Sequence, residues 1–76
     1  MKPEHKEAYR RLGLNIAYCR KTMGLSQSEL AEIIDVSRTH MSRIENADCA
    51  VSMDVLFDIA NALRVTPSEL FDLRYR

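Results

Sequence analysis

Four polar side chains in one short segment have the spacing of a single helix face. Steps of one, three and four residues separate them, which places them side by side on an α-helix. The four residues are Arg38, Thr39, Ser42 and Arg43. Arginine donates two hydrogen bonds to guanine O6 and N7, and small hydroxyl residues bond base edges or touch a thymine methyl group. The set therefore predicts a base-reading surface for the major groove; the alternative is that both arginines only solvate an amphipathic helix.

A helix presents these side chains outward only if its opposite side is buried. Met41 and Ile44 supply that apolar side, and Ser37 is a suitable N-cap in front of it. A preceding helix begins at Ser26, which forms a capping box with Glu29. The sequence therefore predicts two consecutive helices joined by a short turn.

Only a few residues separate the two helices of segment 27–46, so the helices must cross steeply. Ala31 keeps the crossing close, and Asp35 tolerates the positive φ that the turn requires. The start of the first of these helices offers Ser26, Gln27 and free backbone N–H groups, which suit a phosphate oxygen. The side of this helix predicted to be buried consists of Leu30, Ala31, Ile33 and Ile34.

Helix signals continue along the rest of the chain. A first helix is predicted over residues 3–23, with Gly24 as its left-handed end. Gly13 in its interior weakens this helix by about 1 kcal/mol relative to alanine. Ser52 and Thr66 are N-caps for a fourth and a fifth helix. Spacing also assigns three methionines to the core, namely Met23, Met41 and Met53.

Length and composition favour one small helical domain. The 76 residues predict an all-α fold, a compact five-helix bundle that forms one domain over residues 1–76 with a core at about 9–71. Cys19 and Cys49 belong to no CxxC or Cys/His cluster, so we expect neither a metal site nor a disulfide framework. No apolar run suits a membrane span or a secretory signal, which predicts a cytoplasmic protein with reduced thiols.

Charge and chemistry narrow the function classes further. The formal net charge is zero, but cations outnumber acids in residues 1–25 and acids outnumber cations afterwards. This asymmetry is compatible with one positive face, but the charges alone favour the alternative, that they are ordinary solvated charges. No paired carboxylates or nucleophile–base set is visible, so we expect no enzyme, no cofactor and no small-molecule substrate.

A longer motif, defined by residue types at fixed spacings, extends the helix-turn-helix pattern across most of the chain. It comprises Leu25-Ser26-Gln27, Glu29-Leu30-Ala31, Val36-Ser37, Ser42, Ile44-Glu45-Asn46, Ile59-Ala60, Ala62-Leu63 and Val65. In these residues the sequence resembles the lambda-repressor/Cro-like helix-turn-helix proteins, also called the Xre family, over about residues 9–71. Its length and the run Ser37-Arg38-Thr39 are also similar to the small controller proteins of restriction–modification systems.

The resemblance implies a role for each residue of the predicted surface. The base-reading set that it implies is Arg38, Thr39 and Arg43, with Ser42 facing the same groove. It implies that Gln27 contacts phosphate and braces the start of the third helix, and that Asn46 contacts phosphate. On the flank of the third helix, His40 is a further candidate for a phosphate contact, as Ser26 is at the second helix.

The resemblance also implies a buried salt bridge between Arg20 and Glu45, which would join the first and third helices. Glu45 follows the inward-facing Ile44, so a buried carboxylate there needs a cationic partner. Losing one partner of such a pair typically costs about 3–5 kcal/mol. Arg20 is therefore expected to be structural.

The chain departs from the family pattern at several positions. Asp35, Ala47 and Arg64 stand where relatives favour glycine, and Val51 stands where proline is common. The loop at residues 48–50 lacks the basic residues that many relatives direct at phosphate. These departures predict fewer phosphate contacts and a shallower salt dependence of DNA binding.

The C-terminal end is unusually apolar for one short helix. The residues concerned are Leu70, Phe71, Leu73 and Tyr75. They predict a homodimer formed through an isologous patch on the last two helices. The third helix of each copy, called the reading helix because it carries the base-reading set, would then lie about 34 Å from its counterpart on an inverted repeat. The alternative is that Leu70 and Phe71 only close the core.

Together, these expectations predict a sequence-specific regulator of transcription that binds double-stranded DNA. It would act either as a repressor that occupies its operator or as an activator that positions polymerase, and the residues leave both alternatives open. The alternative is a protein-interaction module, either an antitoxin or a phage-switch partner. Antitoxins usually carry additional sequence for their toxin, which favours the regulator.

Overall fold

The computed structural model describes residues 1–72, and all regular structure in this part of the chain is helical. A 3₁₀ turn at Pro3–His5 leads into five α-helices. They are α1 (Lys6–Thr22), α2 (Gln27–Ile33), α3 (Arg38–Glu45), α4 (Met53–Leu63) and α5 (Pro67–Leu70). The all-α, five-helix prediction is confirmed, with α2 and α3 as the helix pair.

Hydroxyl N-caps determine where four of these helices begin. Each cap accepts a hydrogen bond from the backbone N–H three residues later, which satisfies one of the free amides of the first turn. The caps are Ser26, Ser37, Ser52 and Thr66. Glu29 and Glu69 complete reciprocal capping boxes at α2 and α5. The predicted helix starts are confirmed.

Left-handed residues end or separate the helices, and only one of them is glycine. Gly24 has a φ of 74° just after α1. Asp35, Ala47 and Arg64 have φ values of 60°, 57° and 58°. An L-residue in this region costs roughly 1–2 kcal/mol. Within residues 1–72, the three positions where the sequence departs from glycine are therefore the non-glycine residues that carry this strain.

The core lies where α1, α4 and α5 meet the α2–α3 pair. It contains Leu12, Ile16, Cys19, Leu30, Ala31, Met41, Ile44, Leu56, Ile59, Ala60, Leu63 and Leu70. Three predictions of burial are wrong. Ile33 is 58% exposed at the end of α2, because Leu30 and Ala31 fill the crossing and Ile33 falls beside it. Met23 and Met53 are exposed because each lies at a helix end, beyond the last packed turn.

Gly13 allows α1 and α3 to approach each other closely. A Cβ atom at Gly13 would lie 2.3 Å from the carbonyl oxygen of Glu45 and 2.9 Å from that of Ile44. Both neighbours are backbone atoms at the end of α3. The glycine that looks like a weak point in the sequence is therefore the contact that brings α3 against α1.

Asn15 anchors the C-terminal end of the described chain to α1. Its side chain is fully buried, and Nδ2 donates to the carbonyl oxygens of Leu70 at 2.8 Å and Asp72 at 2.7 Å. These bonds hold α5 on the bundle. Within residues 1–72, no helix combines the length and the apolar character that crossing a membrane requires.

Candidate nucleic-acid interface

The two faces of α3 differ sharply in exposure. Met41 is 0% exposed and Ile44 is 2% exposed, so both are fixed in the core. The polar residues of the base-reading set lie on the outer side of this helix. Arg38, Thr39 and Arg43 are exposed, and Ser42 is half-buried. The structure thus brings the whole set to one accessible helix surface.

Hydrogen bonds stiffen the C-terminal part of this surface. Asn46 Nδ2 donates to Ser42 Oγ at 3.3 Å, which joins a predicted phosphate contact to a predicted base contact. Arg43 Nη2 lies 3.4 Å from the carbonyl oxygen of Asp48, at the long limit of a hydrogen bond. His40 is half-buried on the flank of the helix. The guanidinium of Arg43 is therefore held only weakly by the Asp48 carbonyl oxygen.

The start of α2 has hydrogen-bond donors that suit an anion, but it also has the carboxylate of Glu29 nearby. Ser26 Oγ accepts from the backbone N–H of Glu29 at 3.0 Å, and the Ser26 N–H donates to Glu29 Oε1 at 2.8 Å. The amides of Gln27 and Ser28 belong to the first helical turn, where no intrahelical acceptor exists. A phosphate here would meet these two amides while lying near the Glu29 carboxylate.

A buried ion pair connects the helix-turn-helix to α1. Arg20 Nε donates to Glu45 Oε2 at 2.7 Å, and Arg20 Nη2 donates to Glu45 Oε1 at 3.0 Å. Arg20 Nη1 also donates to the carbonyl oxygen of Leu25 at 2.9 Å, just before α2. The pair that the family resemblance implies is therefore present, with bidentate geometry. Arg20 is not available to DNA.

Gln27 joins the same network, but at the other end of α3 from the one expected. Its Nε2 donates to Glu45 Oε1 at 2.9 Å. Glu45 is the last residue of α3 and faces both α1 and the start of α2. Gln27 therefore braces the end of α3, and the prediction that it braces the start is wrong.

Ion pairs engage two arginines in the N-terminal part of the chain. Arg10 and Arg11 both bind the Glu7 carboxylate, at 2.7 and 2.9 Å. The hydrogen bond from Arg10, with the charges of both arginines, lowers the pKa of Glu7 to about 2. Arg10 and Arg11 therefore already have an anionic partner within the chain.

Lys6 was not anticipated as a neighbour of the reading helix. Its Nζ donates to the carbonyl oxygen of Ala47 and lies 3.9 Å from Asp48 Oδ1. No local pattern in the sequence indicates this contact, because 41 positions separate Lys6 from Ala47. The structure thus adds a cation to the loop that follows α3.

The residues expected to form a dimer interface divide into three groups. Leu70 is 0% exposed in the core of its own chain, so its prediction as an interface residue is wrong. Phe71 is 56% exposed. It borders an apolar groove of about 140 Å³ that is lined by residues of α1 and α4, together with Val51 and Phe71 itself. Leu73 and Tyr75 lie outside the described residues.

Both cysteines are free thiols with different surroundings. Cys19 is buried on α1, and burial raises its pKa, with the Glu69 carboxylate adding to the effect. Cys49 is half-buried in the loop after α3. In the part of the chain that the structure describes, no group of three or more His, Cys, Asp or Glu side chains could hold a metal ion.

Comparison with known proteins identifies the family. A family model for helix-turn-helix proteins (HTH_3) matches residues 16–70, which is more than half of the chain. The chain therefore belongs to the helix-turn-helix family, and the resemblance to Xre-type proteins is confirmed. The family and the fold are those of DNA-binding regulators of transcription.

Two solved structures share the fold over most of their length. The restriction-modification controller protein C.AhdI from Aeromonas hydrophila superposes with a TM-score of 0.84 and 28% identity, over 88% of this chain and 97% of that protein. The clp gene regulator ClgR from C. glutamicum gives a TM-score of 0.79 and 27% identity, over 83% of this chain and 82% of that chain.

A curated relative is similar over part of its length. Antitoxin PezA from Streptococcus pneumoniae serotype 4 is 38% identical over 55 residues, which is 72% of this chain and 35% of PezA. The chain thus spans about a third of the length of this relative.

Proposed function

We propose that the chain regulates transcription by binding an inverted repeat in double-stranded DNA as a homodimer. In this proposal α3 lies in the major groove, where Arg38 and Arg43 donate to guanine O6 and N7. Thr39 and Ser42 bond neighbouring base edges or contact a thymine methyl group. The family match and the similarity to a restriction-modification controller support this function.

The burial of Met41 and Ile44 is the observation that carries the proposal. Because both side chains are held in the core, the opposite side of α3 cannot turn inward. That side carries two long cations and two small hydroxyl residues. A helix of this shape fits the major groove, which is about 12 Å wide.

Phosphate contacts at both ends of the helix pair would fix the register of α3. At the start of α2 the donors are Ser26 and Gln27, together with free amides of the first turn. Beyond α3 the donor is Asn46, and His40 lies on the flank. The capping-box carboxylate of Glu29 repels phosphate, so we expect these contacts to be few and the salt dependence to be shallow.

The apolar groove beside Phe71 supports a homodimer. Phe71 and Met53 are each 56% exposed at the border of this groove, and a second copy would cover both through an isologous contact. Two copies would present reading helices about 34 Å apart, which matches one turn of DNA.

Sedimentation of Phe71→Glu tests the interface, with Ile33→Glu as a control at an exposed apolar residue of α2. We expect the first variant to be monomeric and the second to remain dimeric; a dimeric Phe71→Glu would exclude this interface.

Selection of bound sequences from random DNA tests the function itself. The wild-type protein should enrich an inverted repeat whose half-sites lie one helical turn apart. Enrichment of a single half-site would retain DNA reading but reject the homodimer. If nothing is enriched at any salt concentration, the regulator proposal fails.

A second candidate is a protein-interaction module of the antitoxin kind. The match to antitoxin PezA is compatible with it. That match covers 35% of PezA, and it favours this candidate no more than it favours DNA binding. An empty selection, together with a folded protein, would make this candidate the leading one.

A further inference from the structure

The loop that follows α3 receives a cation from a distant part of the chain. Residues 48–50 contain no basic side chain, although this loop lies directly beyond the base-reading helix. Lys6, the first residue of α1, reaches this loop and donates to the carbonyl oxygen of Ala47. Its side chain stays 54% exposed, so the ammonium lies at the surface beside the end of α3.

The contacts of Lys6 leave part of its donor capacity unused. An ammonium group has three N–H donors, and the Ala47 carbonyl accepts one of them. The Asp48 carboxylate lies 3.9 Å away, beyond direct hydrogen-bond distance. The carbonyl groups at the C-terminal end of α3 carry partial negative charge, which holds a cation there before any ligand arrives.

Neighbouring groups connect this position to the proposed DNA surface. Asp48 accepts a long hydrogen bond from Arg43 through its carbonyl oxygen, so Lys6 and Arg43 border the same residue. Asn46, the expected phosphate contact, immediately precedes Ala47. By contrast, Arg10 and Arg11 are held by Glu7.

We infer that Lys6 is a DNA phosphate contact, which α1 supplies to the end of the reading helix. The inference rests on the proposed function. In the complex, a backbone phosphate takes the place of Asp48 as the partner of the ammonium, while the Ala47 carbonyl keeps the side chain in position. Lys6 thus provides the positive charge that the loop itself lacks.

The salt dependence of DNA binding separates this role from a structural one. Lys6→Gln keeps an N–H donor for the Ala47 carbonyl and removes the charge, whereas Lys6→Arg keeps the charge. Binding to the selected sequence is measured by fluorescence anisotropy from about 0.05 to 0.3 M KCl. For Lys6→Gln we expect the slope of log K against log salt to be shallower by about 1.8, about 0.9 for each Lys6 of the proposed homodimer, and the affinity at about 0.1 M salt to fall roughly 60-fold. Lys6→Arg should retain the wild-type slope.

Arg64→Gln is the matched control, because it removes one exposed cation at the end of α4. It should leave the slope unchanged. A second measurement uses wild-type protein and DNA with one neutral methylphosphonate at each backbone position in turn. One position per half-site, near the end of α3, should weaken wild-type binding and leave Lys6→Gln binding unaffected. The wild-type arm of this scan needs no variant, so it still tests the inference if Lys6→Gln folds poorly.

Two results would overturn the inference. The first is a Lys6→Gln slope equal to that of wild type, which would mean that Lys6 only orders the loop. The second is a wild-type methylphosphonate scan without a sensitive position beside α3. If wild-type protein enriches no sequence at all, the proposed function has failed before this question arises.

Discussion

The sequence and the structure predict opposite effects of Gly13→Ala on the free energy of unfolding. Helix propensity alone predicts that Gly13→Ala stabilises α1 by about 1 kcal/mol. In the structure, the added Cβ would lie 2.3 Å from the carbonyl oxygen of Glu45, whereas ordinary contacts begin at 3.4 Å. Since the obstructing atoms are backbone, α1 and α3 must move apart by about 1 Å.

The expected size of the effect follows from three contributions. Overpacking a core contact costs about 1–3 kcal/mol. The same separation stretches the Arg20–Glu45 pair, and losing such a pair outright costs about 3–5 kcal/mol. After the gain in helix propensity of about 1 kcal/mol, we expect Gly13→Ala to lower the free energy of unfolding by about 2 kcal/mol.

Urea unfolding followed by circular dichroism measures this change. With a slope near 1 kcal/mol per molar, a loss of about 2 kcal/mol lowers the midpoint by about 2 M. Gly24→Asn is the control, because Gly24 has a positive φ but no atom within 4 Å of an added Cβ, and asparagine tolerates this conformation. A Gly13→Ala midpoint at or above that of wild type would refute the close approach of α1 to α3.

Three further predictions concern stability and ionisation. Arg20→Met leaves the Glu45 carboxylate buried without its partner, and urea unfolding should show a loss of about 3–5 kcal/mol; a loss below about 1 kcal/mol would contradict the buried pair. Arg64→Gly relieves a φ of 58° and should raise the free energy of unfolding by about 1 kcal/mol, and a decrease would contradict the strain. The Glu7 carboxyl should titrate by NMR near pH 2, because Arg10 lowers its pKa to about 2, and a midpoint near 4.5 would show that the contact is absent in solution. The stability from this contact is present above pH 4.5 and is lost as the pH falls towards 2, the sign expected for a carboxyl with a lowered pKa.

The sequence predicts helix starts well because their signals are local. Ser26 and Thr66 each form a reciprocal capping box with a glutamate three residues later. The turn alone likewise predicts a positive φ for Asp35, and its φ is 60°. Such features depend on a few neighbouring residues, so the pattern of residue types is sufficient to locate them.

Long-range contacts are the part that the sequence does not reveal. The role of Gly13 depends on the carbonyl groups of α3, and Asn15 bonds a carbonyl 55 positions away. Lys6 reaches Ala47 across 41 positions. The family resemblance implies that Gln27 braces the start of α3, whereas it braces the end, because the crossing of two helices decides which ends meet. None of these contacts leaves a periodic or local signal.

The exposure of residues at helix ends is a second feature that the sequence does not predict. Periodicity assigns Ile33 and Met53 to a buried face, yet both are more than half exposed. A periodic pattern describes the direction of a side chain around its helix, but not whether a neighbouring element extends far enough to cover it. At a helix terminus the covering element has often ended, so apolar residues there are the least reliable core predictions.

Base preference at single positions tests the central claim, that the outer side of α3 reads DNA. The selection from random DNA is repeated with Arg38→Ala and with Arg43→Ala, after each variant has been shown to fold. Each arginine is expected to specify a different base pair. Each variant should therefore lose its base preference at one position per half-site, while the remaining positions stay enriched. The discrimination lost at that position should be about 1–3 kcal/mol. If both variants enrich the same sequence as wild type with the same stringency, α3 is not the reading helix and the account is wrong.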